Sequence, residues 1–349
     1  MTVVNTTEEF LQEQREKNWL LLDVRSQTEF SKGHIPGAVN LPLLNDEHRR
    51  IVGTTYKQKG REEAVQAGFD LVGPSFGDFV RQAKSLSKSK TIFLYCWRGG
   101  MRSGIMSWIL NMAGFQVHVL KGGYKAFRNW AMSQFTIPRK TIVIGGATGS
   151  GKTELLECLL KEGRQVIDLE GLAHHKGSSF GALGQPPQPT YEQFENNLAL
   201  NWRYSDPDSI LWLENESHAI GRVKIPDQLF EIILTSPLIE VNVPKKIRAE
   251  RILHEYGHFP PVSLAECTAR LQKRLGGLRT QQALSALEEK NFDIWIDILL
   301  EYYDKTYSHG NEERKNKVIR SIDLAEGESH QEFAKRIDAL GKEILKLWI

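Results

Sequence analysis

Short apolar runs alternate with amphipathic helical patterns through the first third of the chain, which is the order expected of a small α/β domain. The runs that predict buried strands cover residues 19–24, 38–41, 91–95 and 116–120. A helix is predicted from just after Arg102 to a cap near Gly114. Residues 45–90 are polar and long for a connection, so they predict helices of their own, either as a substrate-binding insertion or as a plain surface excursion.

A second α/β pattern follows the proline-containing stretch at residues 133–140, where we place a domain boundary. Its predicted strands cover residues 141–144, 165–168, 209–213 and 238–243, and the segment TELLECLLK after the first of them predicts a helix. From about Ala249 onward the chain is predicted to be mostly helical, with amphipathic spacing over residues 294–303 and 333–348.

Length and composition restrict the class of protein. A chain of 349 residues suggests about two domains, and 40% hydrophobic with 25% charged residues is typical of a globular enzyme. The net charge of +2 indicates no class of partner. Three dispersed cysteines without a C-x-x-C pair indicate neither a disulfide framework nor a cysteine-rich zinc site. With no signal-like N-terminus and no run of eighteen apolar residues, we expect a cytoplasmic protein that does not enter a membrane.

The segment GATGSGKT matches the pattern G-x-x-x-x-G-K-S/T and lies between a predicted strand and a predicted helix. Glycines let backbone N–H groups converge on phosphate oxygens, Lys152 supplies an ammonium group, and Thr153 offers a hydroxyl to Mg²⁺. A chance match in a glycine-bearing turn is the alternative. The residues assigned to ligand binding here are Gly146, Gly149, Gly151, Lys152 and Thr153.

A nucleotide-hydrolysing loop also needs an acidic residue at a nearby strand end to help hold Mg²⁺. Asp168 and Glu170 follow one predicted strand, and Glu214 and Glu216 follow another. We assign Asp168 to the ligand site, although solvated charge at a strand end explains these residues equally well. The loop alone leaves open whether its ligand is a nucleotide or another diphosphate.

Cys96 directly follows the apolar run TIFLY and opens the loop CWRGGMRSG. A thiol at a strand end, facing a helix N-terminus and accompanied by Arg98 and Arg102, is expected to ionise readily and act as a nucleophile. A buried structural cysteine is the alternative. Cys158 and Cys267 lie in predicted helices and receive no chemical role.

Residues 21–42, the Cys96 loop and residues 120–127 resemble a rhodanese domain. The resemblance implies that the cysteine carries sulfur or selenium and that Asp23, Arg25 and His34 are structural. Many sulfur-carrying rhodaneses have the spacing C-x4-R, whereas Cys96 and Arg102 have C-x5-R, as in rhodanese-like phosphatases. We therefore expect the substrate at Cys96 to be a phosphate derivative of the chalcogen.

The Cys96 loop, the GATGSGKT loop and DLEGLAHHKGSSFG at residues 168–181 together resemble the tRNA 2-selenouridine synthase family. This resemblance implies an N-terminal rhodanese-like domain at residues 1–135, with an insertion at about 45–90, and a C-terminal P-loop NTPase-like domain at 136–349 with a helical C-terminal part. It implies replacement of sulfur by selenium in wobble 2-thiouridine of tRNA, with selenophosphate as donor. It also implies prior S-geranylation from geranyl diphosphate, and a selenophosphate synthase is a candidate partner.

Two basic runs are candidate RNA-binding faces, although either is also consistent with a solvated surface. Residues 245–279 carry a net charge of +5, and the long insertion adds further basic residues with an aromatic side chain for base stacking. His174 is assigned a phosphate or substrate contact, and no metal site is predicted. The RNA-binding candidates are Arg49, Tyr56, Lys57, Arg248, Arg251, Arg270 and Arg274.

Two functions of other classes fit the same motifs. In the first, Cys96 and Arg102 form a cysteine phosphatase and the P-loop belongs to a small-molecule kinase. Against it, Tyr95 stands where such phosphatases commonly have His, and no general acid is evident beside the loop. In the second, a non-catalytic regulator binds nucleotide and senses oxidants through Cys96, which leaves the basic residues without a role.

Overall fold

The computed structural model describes residues 2–312 and 318–348 of the chain. Contacts divide the chain into two compact units. The first comprises Met1–Gln134 with Glu195–Leu200, and the second comprises Phe135–Phe194 with Asn201–Ile349.

The first unit is built on a five-stranded parallel sheet with the order β1-β5-β4-β2-β3. Its strands are β1 (Thr2–Asn5), β2 (Leu20–Asp23), β3 (Val39–Asn40), β4 (Thr91–Tyr95) and β5 (Gln116–Leu120). The central strand β4 is buried along its whole length, as its continuous apolar sequence dictates for a strand covered on both faces. The carboxyl end of β4 therefore emerges from the middle of the sheet, and Cys96 is the next residue.

The described part of residues 1–134 also contains a short 3-10 helix (Gly73–Ser75) and seven α-helices: α1 (Thr7–Lys17), α2 (Gln27–Lys32), α3 (Asp46–Lys59), α4 (Arg61–Val72), α5 (Phe76–Leu86), α6 (Met101–Met112) and α7 (Gly123–Gln134). Side-chain caps fix several of their starts, since Thr6 forms a capping box with Glu9 and Asn45 accepts a hydrogen bond from the His48 N–H. Helices α3 to α5 confirm that the segment at 45–90 contains helices of its own.

The second unit contains another five-stranded parallel sheet, with the order β12-β11-β6-β8-β7, and a short antiparallel pair, β9 and β10. Its strands are β6 (Thr141–Gly145), β7 (Gln165–Ile167), β8 (Leu211–Glu214), β9 (Ala219–Ile220), β10 (Val223–Lys224), β11 (Leu238–Asn242) and β12 (Val318–Asp323). Strand β6 lies at the centre of the sheet, so the loop that follows it opens at the sheet's carboxyl edge.

The remaining helices are α8 (Lys152–Lys161), α9 (Leu169–Ala173), α10 (Tyr191–Tyr204), α11 (Asp227–Thr235), α12 (Lys245–Tyr256), α13 (Pro261–Arg270), α14 (Gln272–Leu275), α15 (Gly277–Glu288), α16 (Phe292–Glu312) and α17 (His330–Trp348). One apolar cluster joins α8 and α17 to the sheet through Leu155, Trp212 and Phe333. A second cluster lies among α12 to α16 around Trp295. No helix in the described ranges is long and apolar enough to cross a bilayer.

All of the strands predicted from apolar runs are present within one or two residues, and the described chain after Ala249 is mostly helical, as predicted. Strand β12 within that region was not predicted. Strand β12 lies at an edge of its sheet, as does β1, which was also missed. An edge strand forms with only weak apolar patterning. The sequences TVVN of β1 and VIRSID of β12 therefore do not predict strands clearly.

Candidate functional site

The Cys96 loop is held against the start of α7 by backbone contacts. The Tyr124 N–H donates to the Cys96 carbonyl oxygen at 2.8 Å, and the Lys125 N–H donates to the Trp97 carbonyl oxygen at 3.0 Å. Gly123 permits this approach, because it has φ +61° and a β-carbon there would lie 2.4 Å from the Cys96 carbonyl oxygen. The segment LKGGY therefore supports the loop from behind.

The Cys96 thiol is only 3% exposed, and its surroundings favour the charged form. Burial opposes ionisation, but the Ser103 hydroxyl and the N–H groups of Ser103, Arg98 and Gly100 outweigh it and lower the pKa of Cys96. The Ser103 Oγ lies 3.2 Å from the Cys96 Sγ. The thiol therefore lies in a cradle of hydrogen-bond donors at the N-terminus of α6.

The arginines that accompany Cys96 have different surroundings. Arg102 forms two hydrogen bonds with Glu29, at 2.5 and 3.1 Å, and Arg49 approaches the same carboxylate at 3.9 Å. These contacts lower the pKa of Glu29 against the opposing effect of its burial. The side chain of Arg98 is exposed, and this residue stabilises the thiolate through its backbone N–H. Loop amides, which the sequence predicted together with the two arginines, and the Ser103 hydroxyl therefore stabilise the thiolate.

A buried ion pair supports the strand before this site. Arg25 bonds both carboxylate oxygens of Asp23 and the Gly33 carbonyl oxygen, and its guanidinium lies 3.8 Å from the centre of the Tyr124 ring. Both charged side chains are fully buried, so removing one partner would leave an uncompensated charge. This arrangement gives Asp23 and Arg25 a structural role. His34 is also packed, because its ring stacks on Phe30.

The P-loop connects β6 to α8. Gly149 and Gly151 have φ values of +78° and +82°, conformations that favour glycine. Lys152 folds back so that its Nζ donates to the Gly146 carbonyl oxygen at 2.9 Å. The sequence-predicted phosphate-binding residues therefore lie together in one turn at the N-terminus of a helix.

Two arginines from α12 hold this turn from one side. Arg251 donates to the Ser150 carbonyl oxygen at 2.6 Å, and Arg248 donates to the Thr148 carbonyl oxygen at 3.1 Å. Arg248 is 7% exposed and also forms a double hydrogen bond with Asp304. The structure thus places these two predicted RNA-binding residues against the P-loop. Arg248 is buried in its ion pair with Asp304 and is not on the surface.

Three glutamates lie close together beside Thr153. The Thr153 hydroxyl is 3.4 Å from the Glu170 Oε2, and the Glu170 N–H donates to the Glu214 Oε1 at 2.9 Å. Burial, followed by the charge of Glu216, raises the pKa of Glu170 to about 8, and burial raises the pKa of Glu214 well above its usual range. Asp168 instead caps α9 by accepting from the Gly171 N–H. Sequence reasoning selected Asp168, whereas Glu170 is the acid that reaches the loop.

A cavity of about 700 Å³ lies in the second unit beside the P-loop helix. Apolar side chains such as Ile247 and Phe259 line it together with charged groups, including Arg251 and His330. A β-carbon on Gly151 would lie 2.5 Å from the Arg251 Nη1 and 3.3 Å from the His330 Nε2. The cavity wall thus reaches the phosphate loop, and its volume is in the range of sites for organic ligands.

The other predicted contact residues lie on the surface of their units or in loops. Arg270 and Arg274 are exposed on α13 and α14, while Arg49, Tyr56 and Lys57 are exposed on α3. His174 ends α9 with φ +50°, and its Nδ1 lies 2.9 Å from the Pro187 carbonyl oxygen. Among the described residues, no group of three or more His, Cys, Asp and Glu side chains is arranged to hold a metal ion.

Comparisons with known proteins agree with both halves of this description. Residues 6–129 match the rhodanese-like domain family, and residues 139–260 match the tRNA 2-selenouridine synthase AAA domain family. The chain is 39% identical to tRNA 2-selenouridine synthase of Sulfurovum sp. (strain NBC37-1), over 86% of this chain and 91% of that protein. It is also 39% identical to the protein of the same name from Hydrogenovibrio crunogenus, over 86% of this chain and 92% of that protein.

Among solved structures, tRNA isopentenylpyrophosphate transferase from Bacillus halodurans is similar over 60% of this chain and 99% of its own, at 12% identity and a TM-score of 0.35. A score this low supports no conclusion about function. The two domain matches and the identity over nearly the whole length of the relatives decide the assignment. The chain belongs to the tRNA 2-selenouridine synthase family.

Proposed function

We propose that the protein forms 2-selenouridine at the wobble position of tRNA in two steps, S-geranylation of 2-thiouridine followed by replacement of the alkylated sulfur by selenium. The observation that carries this proposal is the presence in one chain of two anion-binding loops with different reactive groups. One loop offers an ammonium group and a hydroxyl, and the other offers a buried thiol among hydrogen-bond donors.

In the first step the sulfur of 2-thiouridine forms a bond to C1 of the geranyl group. The C1–O bond breaks, the diphosphate leaves with the electron pair, and the base releases its N3 proton. Lys152 and the loop amides stabilise the charge that develops on the leaving diphosphate. The cavity beside Gly151 has apolar walls for the ten-carbon chain and Arg251 at its phosphate end. A nucleotide is the alternative ligand of this loop.

Mg²⁺ fits beside the same loop. It binds through one or two carboxylates together with phosphate oxygens and water, and when bound it would neutralise diphosphate charge. Thr153 and Glu170 would hold it, and the Glu214 Oε2 is buried without a hydrogen-bond partner among the described residues. Glu170 must lose its proton to serve, so its raised pKa makes this binding favour alkaline conditions.

In the second step selenium replaces the alkylated sulfur at C2. Water cleaves the P–Se bond of selenophosphate to give phosphate and hydrogenselenide. Hydrogenselenide adds to C2, its proton passes to N3, and the C2–S bond breaks to release geranyl thiolate, which takes a proton from water. Alkylation makes this exchange feasible, because a thioether sulfur leaves as a thiolate whereas an unmodified thiocarbonyl does not. The donor cradle at Cys96 suits the phosphoryl group of selenophosphate, and the thiolate positions the selenium.

The tRNA is held through phosphate contacts from exposed basic side chains. Arg270 and Arg274 in the second unit, and Arg49 and Lys57 in the first, remain on the surface for this purpose. Tyr56, 59% exposed, is available to stack on an unpaired base. An enzyme that makes selenophosphate must supply the selenium donor.

The first step is tested by incubating the protein with geranyl diphosphate and tRNA that contains 2-thiouridine, without selenophosphate. Nucleoside mass spectrometry then measures the S-geranyl product. We expect Lys152→Ala to lower the rate at least about a hundredfold, since it removes a charged contact to the leaving group. Lys161→Ala is the matched control, because Lys161 lies exposed at the other end of the same helix.

Equal rates for Lys152→Ala and Lys161→Ala would refute the assignment of the P-loop to the prenyl donor. If the wild-type protein instead transfers phosphate from ATP to a small molecule and ignores tRNA, the kinase and phosphatase interpretation replaces this one.

A further inference from the structure

An apolar groove runs along the insertion of the first unit. It lies among α3, α4 and α6, has a volume of about 260 Å³, and is lined by side chains that include Val52, Val65, Phe69 and Ile105. Phe69 is 49% exposed at the groove wall. Large apolar side chains gathered at a concave surface are typical of a binding site. The described packing of the first unit leaves this groove open.

The groove is continuous with the Cys96 loop. Met101 and Arg102, the first two residues of α6, line it, and the next residue, Ser103, contacts the Cys96 sulfur. A ligand in the groove therefore lies within one helical turn of the groups that surround the thiol. This proximity points to a ligand of the reaction at Cys96 rather than to an unrelated partner.

Charge at the groove complements an RNA that carries an apolar group. Arg49, Arg61 and Arg102 line the groove along with the apolar side chains. Of these, Arg102 forms an ion pair with Glu29, whereas nearly half of the Arg49 side chain is exposed. Hydrocarbon contacts in the groove and guanidinium groups at its edge suit an alkyl chain attached to a phosphate-bearing strand.

We propose that this groove binds the geranyl chain of the S-alkylated uridine and so places its C2 carbon at the Cys96 loop for the second step. This inference rests on the proposed function. Cavities of about 300 to 1,000 Å³ hold drug-sized ligands, so a groove of 260 Å³ is of the right scale for ten carbons. The groove would bind geranylated tRNA more tightly than unmodified tRNA and so keep the intermediate bound until selenium replaces the sulfur.

The test compares two synthetic anticodon stem-loops, one with S-geranyl-2-thiouridine and one with S-methyl-2-thiouridine, each incubated with selenophosphate. The readout is the rate of 2-selenouridine formation. Phe69→Ser removes part of the groove wall at an exposed position, and Val65→Trp fills the groove. Trp108→Ser is the control, because Trp108 is 57% exposed on α6 and does not line the groove.

We expect the wild-type protein to convert the geranyl substrate at least about tenfold faster than the methyl substrate, since a single methylene in an apolar pocket changes rates by about that factor. Both groove variants should lose this preference and keep the rate on the methyl substrate, and Trp108→Ser should retain both rates. The retained rate on the methyl substrate would show that the first unit of each variant is folded, because that reaction takes place at the Cys96 loop of the same unit.

Two outcomes overturn the inference. If the wild-type protein converts both substrates at equal rates, or if the groove variants keep the geranyl preference, the groove does not bind the chain while the two-step function stands. If the wild-type protein converts neither alkylated substrate, the second step of the proposed function fails, and the groove loses its ligand with it.

Discussion

The Ser103 hydroxyl is the side-chain group whose removal changes the pKa of Cys96 most directly. It lies 3.2 Å from the sulfur and 2.9 Å from the Gly100 carbonyl oxygen, but a hydroxyl has only one proton to donate. Ionisation of the thiol therefore turns the hydroxyl away from Gly100 and toward the sulfur. Ser103→Ala removes this response and should raise the pKa of Cys96.

The size of the effect follows from this exchange of partners. A hydrogen bond to a charged group contributes about 1.5 to 3 kcal/mol, and one pKa unit corresponds to about 1.4 kcal/mol. Loss of the bond to Gly100 offsets part of that gain, so we expect a rise of about one pKa unit. The backbone N–H groups of Arg98, Gly100 and Ser103 remain in the variant and keep the thiol partly activated.

The assay is the rate of Cys96 alkylation by iodoacetamide as a function of pH, with the two other cysteines replaced by alanine. Ser107→Ala is the matched control, since Ser107 is a buried serine one turn further along α6 whose hydroxyl bonds Thr2 instead. A wild-type pH profile for Ser103→Ala, or an equal shift of the profile with Ser107→Ala, would refute this role of the Ser103 hydroxyl.

Three further predictions concern the supports of the two loops. Gly123→Ala should destabilise the protein by about 2 to 4 kcal/mol in denaturant unfolding, because its β-carbon would meet the Cys96 carbonyl, whereas Gly104→Ala, in open space on α6, should not. Folding raises the pKa of Glu170 from 4.5 to about 8, so its stabilising contribution is complete below pH 4.5 and is lost as the pH rises through 8. Glu170→Gln should therefore flatten the decline of the unfolding temperature over that range, and an unchanged slope would contradict the assignment. Arg251→Met should weaken inorganic pyrophosphate binding about tenfold in calorimetric titration, because two loop carbonyls lose their donor, and unaltered affinity would show that the loop needs no such support.

Patterns with strong local signals made much of the fold predictable. Continuous apolar runs such as TIFLY gave the central strands, and the glycine-lysine motif gave the turn between β6 and α8. The edge strands β1 and β12 were missed because their described residues bury only part of their surface. Local sequence carries little information about such strands, since pairing with a distant strand stabilises them.

The site was less predictable than the fold because its contacts join residues far apart in sequence. Arg248 and Arg251 belong to a basic run that suggests RNA binding, yet each donates to a P-loop carbonyl about a hundred residues earlier. Glu29 was not anticipated as the partner of Arg102 for the same reason. Ser103 could have been found, since its position in the first turn of the helix after Cys96 places its hydroxyl near the loop.

The central claim is that the two loops perform successive steps on one nucleoside. The measurement that tests it most directly is nucleoside mass spectrometry of tRNA containing 2-thiouridine, incubated with geranyl diphosphate, selenophosphate and either the wild type, Cys96→Ala or Lys152→Ala. We expect 2-selenouridine with the wild type, accumulation of S-geranyl-2-thiouridine with Cys96→Ala, and unmodified 2-thiouridine with Lys152→Ala. Formation of 2-selenouridine by Cys96→Ala at the wild-type rate, or no change in any nucleoside with the wild type, would contradict the assignment of successive steps to the two loops.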